Sequence, residues 1–170
     1  MVLIRSETPS DIPAIFEVNQ RAFERPGEAQ VVDGLRERGE LRVSLVAEVD
    51  GKVVGHIAFS PMRLETENKP EGAFGLAPMA VLPKYQGTGI GLKLIAAGLD
   101  ACREAGAEIV IVLGHPNYYP RAGFERASLH GISSEFNVPD DVFMVQELTP
   151  GALGKYRGVA YYSPLFRSVT

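Results

Sequence analysis

The stretch Pro78-Met-Ala-Val-Leu-Pro-Lys-Tyr-Gln-Gly-Thr-Gly-Ile-Gly-Leu-Lys-Leu-Ile95 is the most informative part of this chain. An apolar run through Val81 and Leu82 predicts the end of a buried strand, and residues 92–103 predict a helix. A glycine-rich segment, 86–91, joins the two. Glycines let a backbone approach a ligand closely, and the first turn of a helix presents unpaired N–H groups at the positive end of the helix dipole. The stretch therefore predicts an anion-binding loop, although a plain turn between strand and helix uses the same residue types.

Two familiar phosphate-binding motifs do not fit this loop. A dinucleotide fingerprint needs glycine at its first, third and sixth positions, and counted from Gly87 the sixth position is Leu92. A Walker loop needs Gly-Lys-Ser/Thr, whereas Lys93 stands between two leucines. The remaining pattern is Gln-x-x-Gly-x-Gly, formed by Gln86, Gly89 and Gly91.

The hydrophobic pattern along the chain predicts a single α/β domain over residues 1–170 with the order βααβββαβαββ. The predicted strands are 2–5, 43–49, 53–59, 76–82, 109–113, 128–132 and 142–148. The predicted helices are 9–23, 28–38 and 92–103, and 115–124 is a short helix or turn that ends at Gly123. Residues 65–75 form an exposed connection. Residues 1–148 form the core of this prediction, and 149–170, rich in Gly, Tyr and Pro, form an irregular tail.

Composition excludes several function classes. The net charge is −4, from 17 basic and 21 acidic side chains without a dense Lys/Arg tract, so neither nucleic acid nor an anionic membrane is an expected partner. No apolar stretch approaches the roughly 20 residues that span a bilayer. The first residues lack the pattern of a signal peptide, and Cys102 is the only cysteine. These features together favour a cytoplasmic protein.

The predicted order, with the glycine loop between the fourth strand and the third helix, resembles the GCN5-related N-acetyltransferases (GNAT). The most specific stretches are 79–91 and Tyr119-Pro-Arg-Ala-Gly-Phe124. Segments 143–148, 150–153 and 158–166 are similar to the bacterial YhbS-like branch of predicted N-acetyltransferases. The resemblance implies a mixed sheet flanked by helices and splayed between the fourth and fifth strands, with a homodimer as the family-typical assembly.

The resemblance also implies the reaction, which is direct transfer of an acetyl group from acetyl-coenzyme A to the primary amine of a small molecule or peptide. Coenzyme contacts would come from the main chain of the fourth strand, from the glycine loop and from one later asparagine: Met79, Ala80, Val81, Gln86, Gly87, Thr88, Gly89, Ile90, Gly91, Leu92 and Asn117. Many relatives carry their asparagine seven residues before the catalytic tyrosine, where this chain has Val112. The assignment of Asn117 departs from that pattern.

Tyr119 is the candidate general acid. It stands four residues before Gly123, which is the family's spacing for the tyrosine that protonates the leaving thiolate. A phenol with a pKa of about 10 is protonated at neutral pH and can protonate a thiolate whose conjugate acid has a pKa near 8.5. The competing interpretation is that the side chain only packs, and packing is the role expected for Tyr118.

The general base and the acceptor site have less specific signals. Neither 76–82 nor 109–113 contains an acidic residue, so His115 is the candidate base, with Glu28, Glu65 or Glu67 acting through water as alternatives. Glu28 and Glu135 are candidates for attracting a cationic amine. Because the histidines are scattered along the chain, no metal site is predicted.

A second hypothesis for the function is a catalytically idle module that binds an acyl-coenzyme A, either as a sensor or for a partner protein. Such a module would have no need of a phenol at position 119.

Overall fold

Two β-sheets, of seven and three strands, organise the chain. The computed structural model describes residues 1–170. Its helices are α1 (Ile12–Phe23), α2 (Gly27–Glu37) and α3 (Ile90–Glu104). Its strands are β1 (Val2–Ser6), β2 (Val43–Val49), β3 (Lys52–Pro61), β4 (Arg63–Thr66), β5 (Ala73–Val81), β6 (Ile109–Leu113), β7 (Glu125–Arg126), β8 (Ile132–Ser134), β9 (Phe143–Glu147) and β10 (Arg157–Tyr161). None of the helices is both long and apolar enough to cross a bilayer.

The large sheet has the order β1-β2-β3-β5-β6-β9-β7 and is antiparallel except between β5 and β6. The Asp50-Gly51 turn joins β2 to β3, where both residues have positive φ (51° and 78°), as a two-residue hairpin turn requires. The prediction of an α/β fold with a mixed sheet flanked by helices is confirmed.

Strand alternation divides the core into layers. On β2, Leu45 and Ala47 belong to the cluster beside α3, whereas Val46 between them packs with Ile15 of α1 and Val32 of α2. On β6, which is apolar throughout, alternate residues contact α3 on one face and the small sheet on the other. The sheet is therefore covered on both faces at its centre, as a continuous apolar run predicts.

The small sheet has the order β4-β10-β8 and differs from the sequence prediction. Residues 149–170 are not an irregular tail, because β10 lies between β4 and β8 and pairs with both. Part of the predicted connection 65–75 is the end of β4. The predicted strand 128–132 is wrong: Ala127–His130 is a 3₁₀ helix that ends at Gly131 (φ 73°), and β8 begins only afterwards.

The parallel strands β5 and β6 separate part-way along their length. They pair from Ala73 with Ile109 to Leu76 with Val112, and beyond that point 77–81 pairs only with β3. The predicted splay is confirmed, and it opens at Leu76, earlier than the end of the strand at Val81. An irregularity in the β3–β5 register bends β5 here, and Pro78 within it has no amide hydrogen to donate.

A buried histidine ties β3 to its neighbours. His56 Nδ1 accepts a hydrogen bond from Asn19 Nδ2 at 3.1 Å, which leaves the proton on Nε2, 2.8 Å from Ser44 Oγ. The Ser44 hydroxyl in turn donates to the carboxylate of Glu7, and Glu7 pairs with Arg36. Because the imidazole is completely buried, desolvation lowers the pKa of His56 to about 4.

This burial predicts how stability depends on pH. The unfolded chain binds a proton at His56 near pH 6.5, whereas the native chain does so only near pH 4, so the free energy of unfolding falls as the pH is lowered through that window. The loss is at most about 3 kcal/mol, at 1.36 kcal/mol per pKa unit. We expect His56→Gln to flatten this part of the profile, measured by urea unfolding from pH 4 to 7.

His130→Gln is the matched control, since it removes a histidine that lies outside the buried network and should keep the wild-type slope. The pKa values of the Asp11 and Glu7 carboxyls lie below their usual values of 3.8 and 4.5, so these two groups add acid sensitivity mainly at the lower end of the profile. An unchanged slope in His56→Gln between pH 5 and 6.5 would contradict the assignment.

Candidate active site

A cleft of about 640 Å³ opens where β5 and β6 separate. It is lined by β5, the glycine loop, the start of α3, the end of β6 and the C-terminal segment. The predicted site residues among its walls are Met79, Val81, Gln86, Gly87, Gly89, Ile90, Gly91, Leu92, His115, Tyr119 and Glu28. The predicted site residues that do not line it are Ala80, Thr88, Asn117 and Glu135.

The glycine loop presents free main-chain donors to this cleft. None of the six amides from Gly87 to Leu92 donates a hydrogen bond within the protein, and the first amide of this region to do so is that of Lys93, which donates to the Gly89 carbonyl at 3.2 Å. Gly87 (φ 76°) and Gly89 (φ 88°) are left-handed, and the space where a side chain would begin is open. The loop therefore exposes a row of N–H groups at the positive end of α3, as an anion site requires.

Two polar side chains hold the loop in this shape. Gln86 Nε2 donates to the main-chain carbonyl of Val81 at 2.9 Å, and Thr88 Oγ1 donates to that of Tyr85 at 2.5 Å. The resemblance implies that both residues contact the coenzyme, Thr88 through its main-chain amide. In this structure their hydrogen bonds go to the turn, so their effect on a ligand acts through the position of the amides.

Gly91 is required for a different reason from its neighbours. A Cβ atom at this position would collide with the hydroxyl of Tyr118, which lies against the first turn of α3. Tyr118 therefore does more than pack in the core, since its hydroxyl reaches the edge of the anion loop. No local pattern could have predicted this contact, because the two residues are far apart in the chain.

The free edge of β5 continues from the loop into the cleft. Beyond Leu76 the side of β5 that faced β6 has no strand partner, and within 77–81 the Val81 carbonyl is satisfied by Gln86. Unpaired main-chain groups next to a cavity can hydrogen-bond an extended ligand in the manner of an added strand.

Tyr119 lies at the closed end of the splay. Its ring is 8% exposed, occupies the space beside Gly114 just after β6, and packs edge-to-face on Phe124 with ring centres 5.8 Å apart. Burial raises the pKa of the Tyr119 phenol above its usual value of 10. The side chain therefore packs and also lines the cleft as a protonated donor at neutral pH.

Tyr162 is a residue that the sequence analysis did not single out. Its ring packs against Gly75 of β5, where a Cβ atom would lie 2.7 Å from Cε1. Its hydroxyl is buried without a hydrogen-bond partner; the Leu113 amide is nearby but makes no hydrogen bond to it in this geometry. Tyr162 was missed because it lies in the segment predicted as irregular, where only the likeness of 158–166 to the YhbS-like branch could have pointed to it.

The remaining predicted side chains differ in their availability. His115 is exposed at the mouth of the cleft, beyond β6. Glu28 is buried and receives two hydrogen bonds from Arg25, at 3.0 and 2.5 Å. Glu135 accepts from the Tyr162 main-chain amide at 2.7 Å and lies outside the cleft. Each carboxylate predicted to attract an amine therefore already accepts at least one hydrogen bond within the protein.

Comparison with known proteins places this geometry in a family. Residues 3–127 match the model of the acetyltransferase (GNAT) domain. The chain is 39% identical over 166 residues to the Escherichia coli (strain K12) protein named Uncharacterized N-acetyltransferase YhbS, covering 97% of this chain and 98% of that one. It is 41% identical over 146 residues to Uncharacterized N-acetyltransferase YjhQ of the same strain, covering 82% and 81% of the two chains.

Solved structures agree with these matches. The crystal structure of E. coli YhbS in complex with CoA superposes with a TM-score of 0.92 at 38% identity, covering 98% of this chain and 92% of that chain. A GNAT family acetyltransferase from Brucella melitensis in complex with acetyl-CoA gives a TM-score of 0.80 at 37% identity, covering 98% of both chains. The cleft, the fold and these matches agree, and the chain is an enzyme that belongs to the GNAT family of N-acetyltransferases, in its YhbS-like branch.

Proposed function

We propose that the protein transfers an acetyl group from acetyl-coenzyme A directly to a primary amine. The observation that carries this proposal is that three features line one cleft. They are the free amides of 87–92, the unpaired edge of 77–81, and the buried phenols of Tyr119 and Tyr162 at its closed end. The complexes of the two relatives with CoA and acetyl-CoA support the choice of co-substrate.

The loop and the strand edge would divide the binding of the coenzyme between them. The amides of 87–92 suit a pyrophosphate, because they are unpaired and stand at the start of a 15-residue helix. The five residues of 77–81 extend over about 16 Å, at roughly 3.3 Å per residue, and would carry an extended arm from the loop to the apex of the splay. Anchoring at one end would thus place the thioester near the phenols at the other.

Tyr119 is proposed to assist the departure of the thiolate. In direct transfer, the lone pair of the amine forms the new C–N bond, the C–S bond breaks, and the sulfur leaves with the electron pair. The Tyr119 hydroxyl would give its proton to that sulfur, and the proton released by the attacking amine would restore the phenol through the base and solvent. Its raised pKa keeps the phenol protonated at neutral pH, so the proton is present when the thiolate forms, although the same shift makes the phenol a weaker acid.

His115 is the proposed base, because it is the one histidine that lines the cleft. Among the alternatives from the sequence, Glu28 is held by Arg25, and Glu65 and Glu67 do not line the cleft. At the exposed mouth of the cleft, His115 can return the proton to solvent.

The anchoring role predicts that Gly89→Glu abolishes coenzyme binding. The substitution adds a side chain and a negative charge where the main chain is proposed to meet a pyrophosphate. Calorimetric titration of the folded variant with coenzyme A should give no measurable binding, against clear binding by the wild type.

Gly51→Glu is the matched control for this experiment. Gly51 is also left-handed (φ 78°) with open space around it, so the backbone strain should be similar, but it lies in the β2–β3 hairpin away from the cleft. The control should bind coenzyme A like the wild type. Equal affinity of Gly89→Glu and Gly51→Glu would remove the loop from the site.

The acid role predicts that Tyr119→Phe lowers kcat by at least about 100-fold, the lower end of what general acid catalysis contributes. The substitution removes one hydroxyl and keeps the ring that packs on Gly114 and Phe124, so folding and coenzyme affinity should change little. Release of free thiol from acetyl-coenzyme A measures turnover, with an amine acceptor or with slow hydrolysis in its place.

Substitutions of two other tyrosines serve as controls for Tyr119→Phe. Tyr161→Phe should behave as wild type, because the Tyr161 ring lies under the Arg63 guanidinium, 5.1 Å away, and outside the cleft. Tyr118→Phe should change coenzyme affinity more than kcat, because its hydroxyl lies at Gly91. An unchanged kcat in Tyr119→Phe would rule out the acid role. If the wild type binds the coenzyme tightly but turns over no amine, that result would favour the idle binding module.

A further inference from the structure

The end of the cleft opposite the glycine loop is walled by three aromatic side chains, Phe136, Tyr162 and Phe166, here called the aromatic wall. Phe136 and Tyr162 are stacked, with ring centres 6.2 Å apart and planes at 23°. Tyr162 and Phe166 are 5.2 Å apart at 57°. The three rings form one continuous apolar surface that the coenzyme-binding features do not use.

The rest of the fold holds this wall in place. Tyr162 packs on Gly75 of β5. The segment that follows packs on α2, where a Cβ atom at Gly27 would lie 2.8 Å from Val169 and one at Gly34 would lie 3.0 Å from Leu165. Arg25 also donates to the Val169 carbonyl at 3.2 Å. A surface fixed by these contacts is pre-organised to receive a ligand of complementary shape.

The charges around the wall argue against a polycationic acceptor. Glu28 is the one acidic side chain that lines the cleft, and both of its oxygens are bonded by Arg25. Glu135 is turned to the Tyr162 amide outside it. A second ammonium group on the acceptor would be buried among aromatic rings, where the one acidic side chain, Glu28, is already paired with Arg25, so its burial would cost free energy. The role of Glu28 and Glu135 in attracting a cationic amine stays a prediction, and the hydrogen bonds of both carboxylates within the protein weaken it.

The Tyr162 hydroxyl is one unpaired polar group buried at this apolar surface, and a ligand can bond it only after a small shift of the rings around it. A buried hydroxyl without a partner is unfavourable, so a ligand group that bonds it gains free energy. An uncharged primary amine has two N–H donors and one lone pair. If one N–H donates to the Tyr162 oxygen, the lone pair stays free to attack the thioester carbon.

We propose that the acceptor is a primary amine on an aromatic or similarly bulky apolar group, which packs on the aromatic wall while Tyr162 bonds the amine nitrogen. This inference rests on the proposed function and specifies its substrate class. It assigns Tyr162 the positioning of the nucleophile, with Phe136 and Phe166 selecting the apolar group.

The experiment compares 2-phenylethylamine with 1,4-diaminobutane and glucosamine as acceptors. We expect kcat/KM for 2-phenylethylamine to exceed that of the other two by at least about tenfold, in line with the discrimination that an apolar pocket provides. Phe166→Ala should remove that preference, and coenzyme affinity should stay at the wild-type value. A preference for 1,4-diaminobutane or glucosamine would overturn the proposal and leave the transferase activity standing.

Tyr162→Phe separates positioning from packing. The variant keeps the ring and removes a hydroxyl without a partner, so its Tm should equal or exceed that of the wild type, whereas KM for 2-phenylethylamine should rise about tenfold. Tyr161→Phe is the matched control, with both values unchanged. A wild-type KM in Tyr162→Phe would overturn the positioning role.

Calorimetric titration of the coenzyme A-loaded wild type with 2-phenylethylamine distinguishes this proposal from the one on which it rests. Binding without any transfer would support the pocket and contradict the proposed function. Neither binding nor transfer would contradict the pocket.

Discussion

Main-chain hydrogen bonding along β5 is the constraint on which the site depends. Backbone N–H and C=O groups need partners, and in a sheet the neighbouring strand supplies them. Here β5 loses its neighbour β6 after Leu76 but continues to Val81, supported by β3 on its other side. The bend at the β3–β5 irregularity and the proline within it make this separation part of the fold. The cleft lies in the space that this separation leaves between the two strands.

Three tyrosines shape that cleft, and each fits against a glycine. Tyr162 packs on Gly75 of β5, Tyr119 on Gly114 after β6, and Tyr118 on Gly91 at the start of α3. These three glycines thus mark places where an aromatic ring must come close to the backbone, in contrast to Gly87 and Gly89, which are left-handed and open. One residue type serves two purposes within the same site: some glycines admit phenols, and others expose amides.

The parts of the fold that the sequence predicted are those with local signals. The glycine loop, the Asp50-Gly51 hairpin and the apolar strand β6 each carry their pattern within a few residues. The small sheet does not, since β4 and β10 are short, lie about 90 residues apart and pair only once the chain has folded. Side-chain partners cannot be predicted from the sequence for the same reason. The pairing of Glu28 with Arg25, the contact of Glu135 with Tyr162, and the unpaired Tyr162 hydroxyl all depend on neighbours in the folded structure.

Amide hydrogen exchange with and without coenzyme A tests most directly whether the splay and the glycine loop bind the coenzyme together. The exchange of the amides in 87–92 should slow by at least about tenfold on binding, and protection should extend to 77–81, because both regions gain hydrogen-bond partners. The amides of the β2–β3 hairpin should not change. Protection confined to another part of the chain, with 87–92 exchanging as in the free protein, would contradict this binding mode.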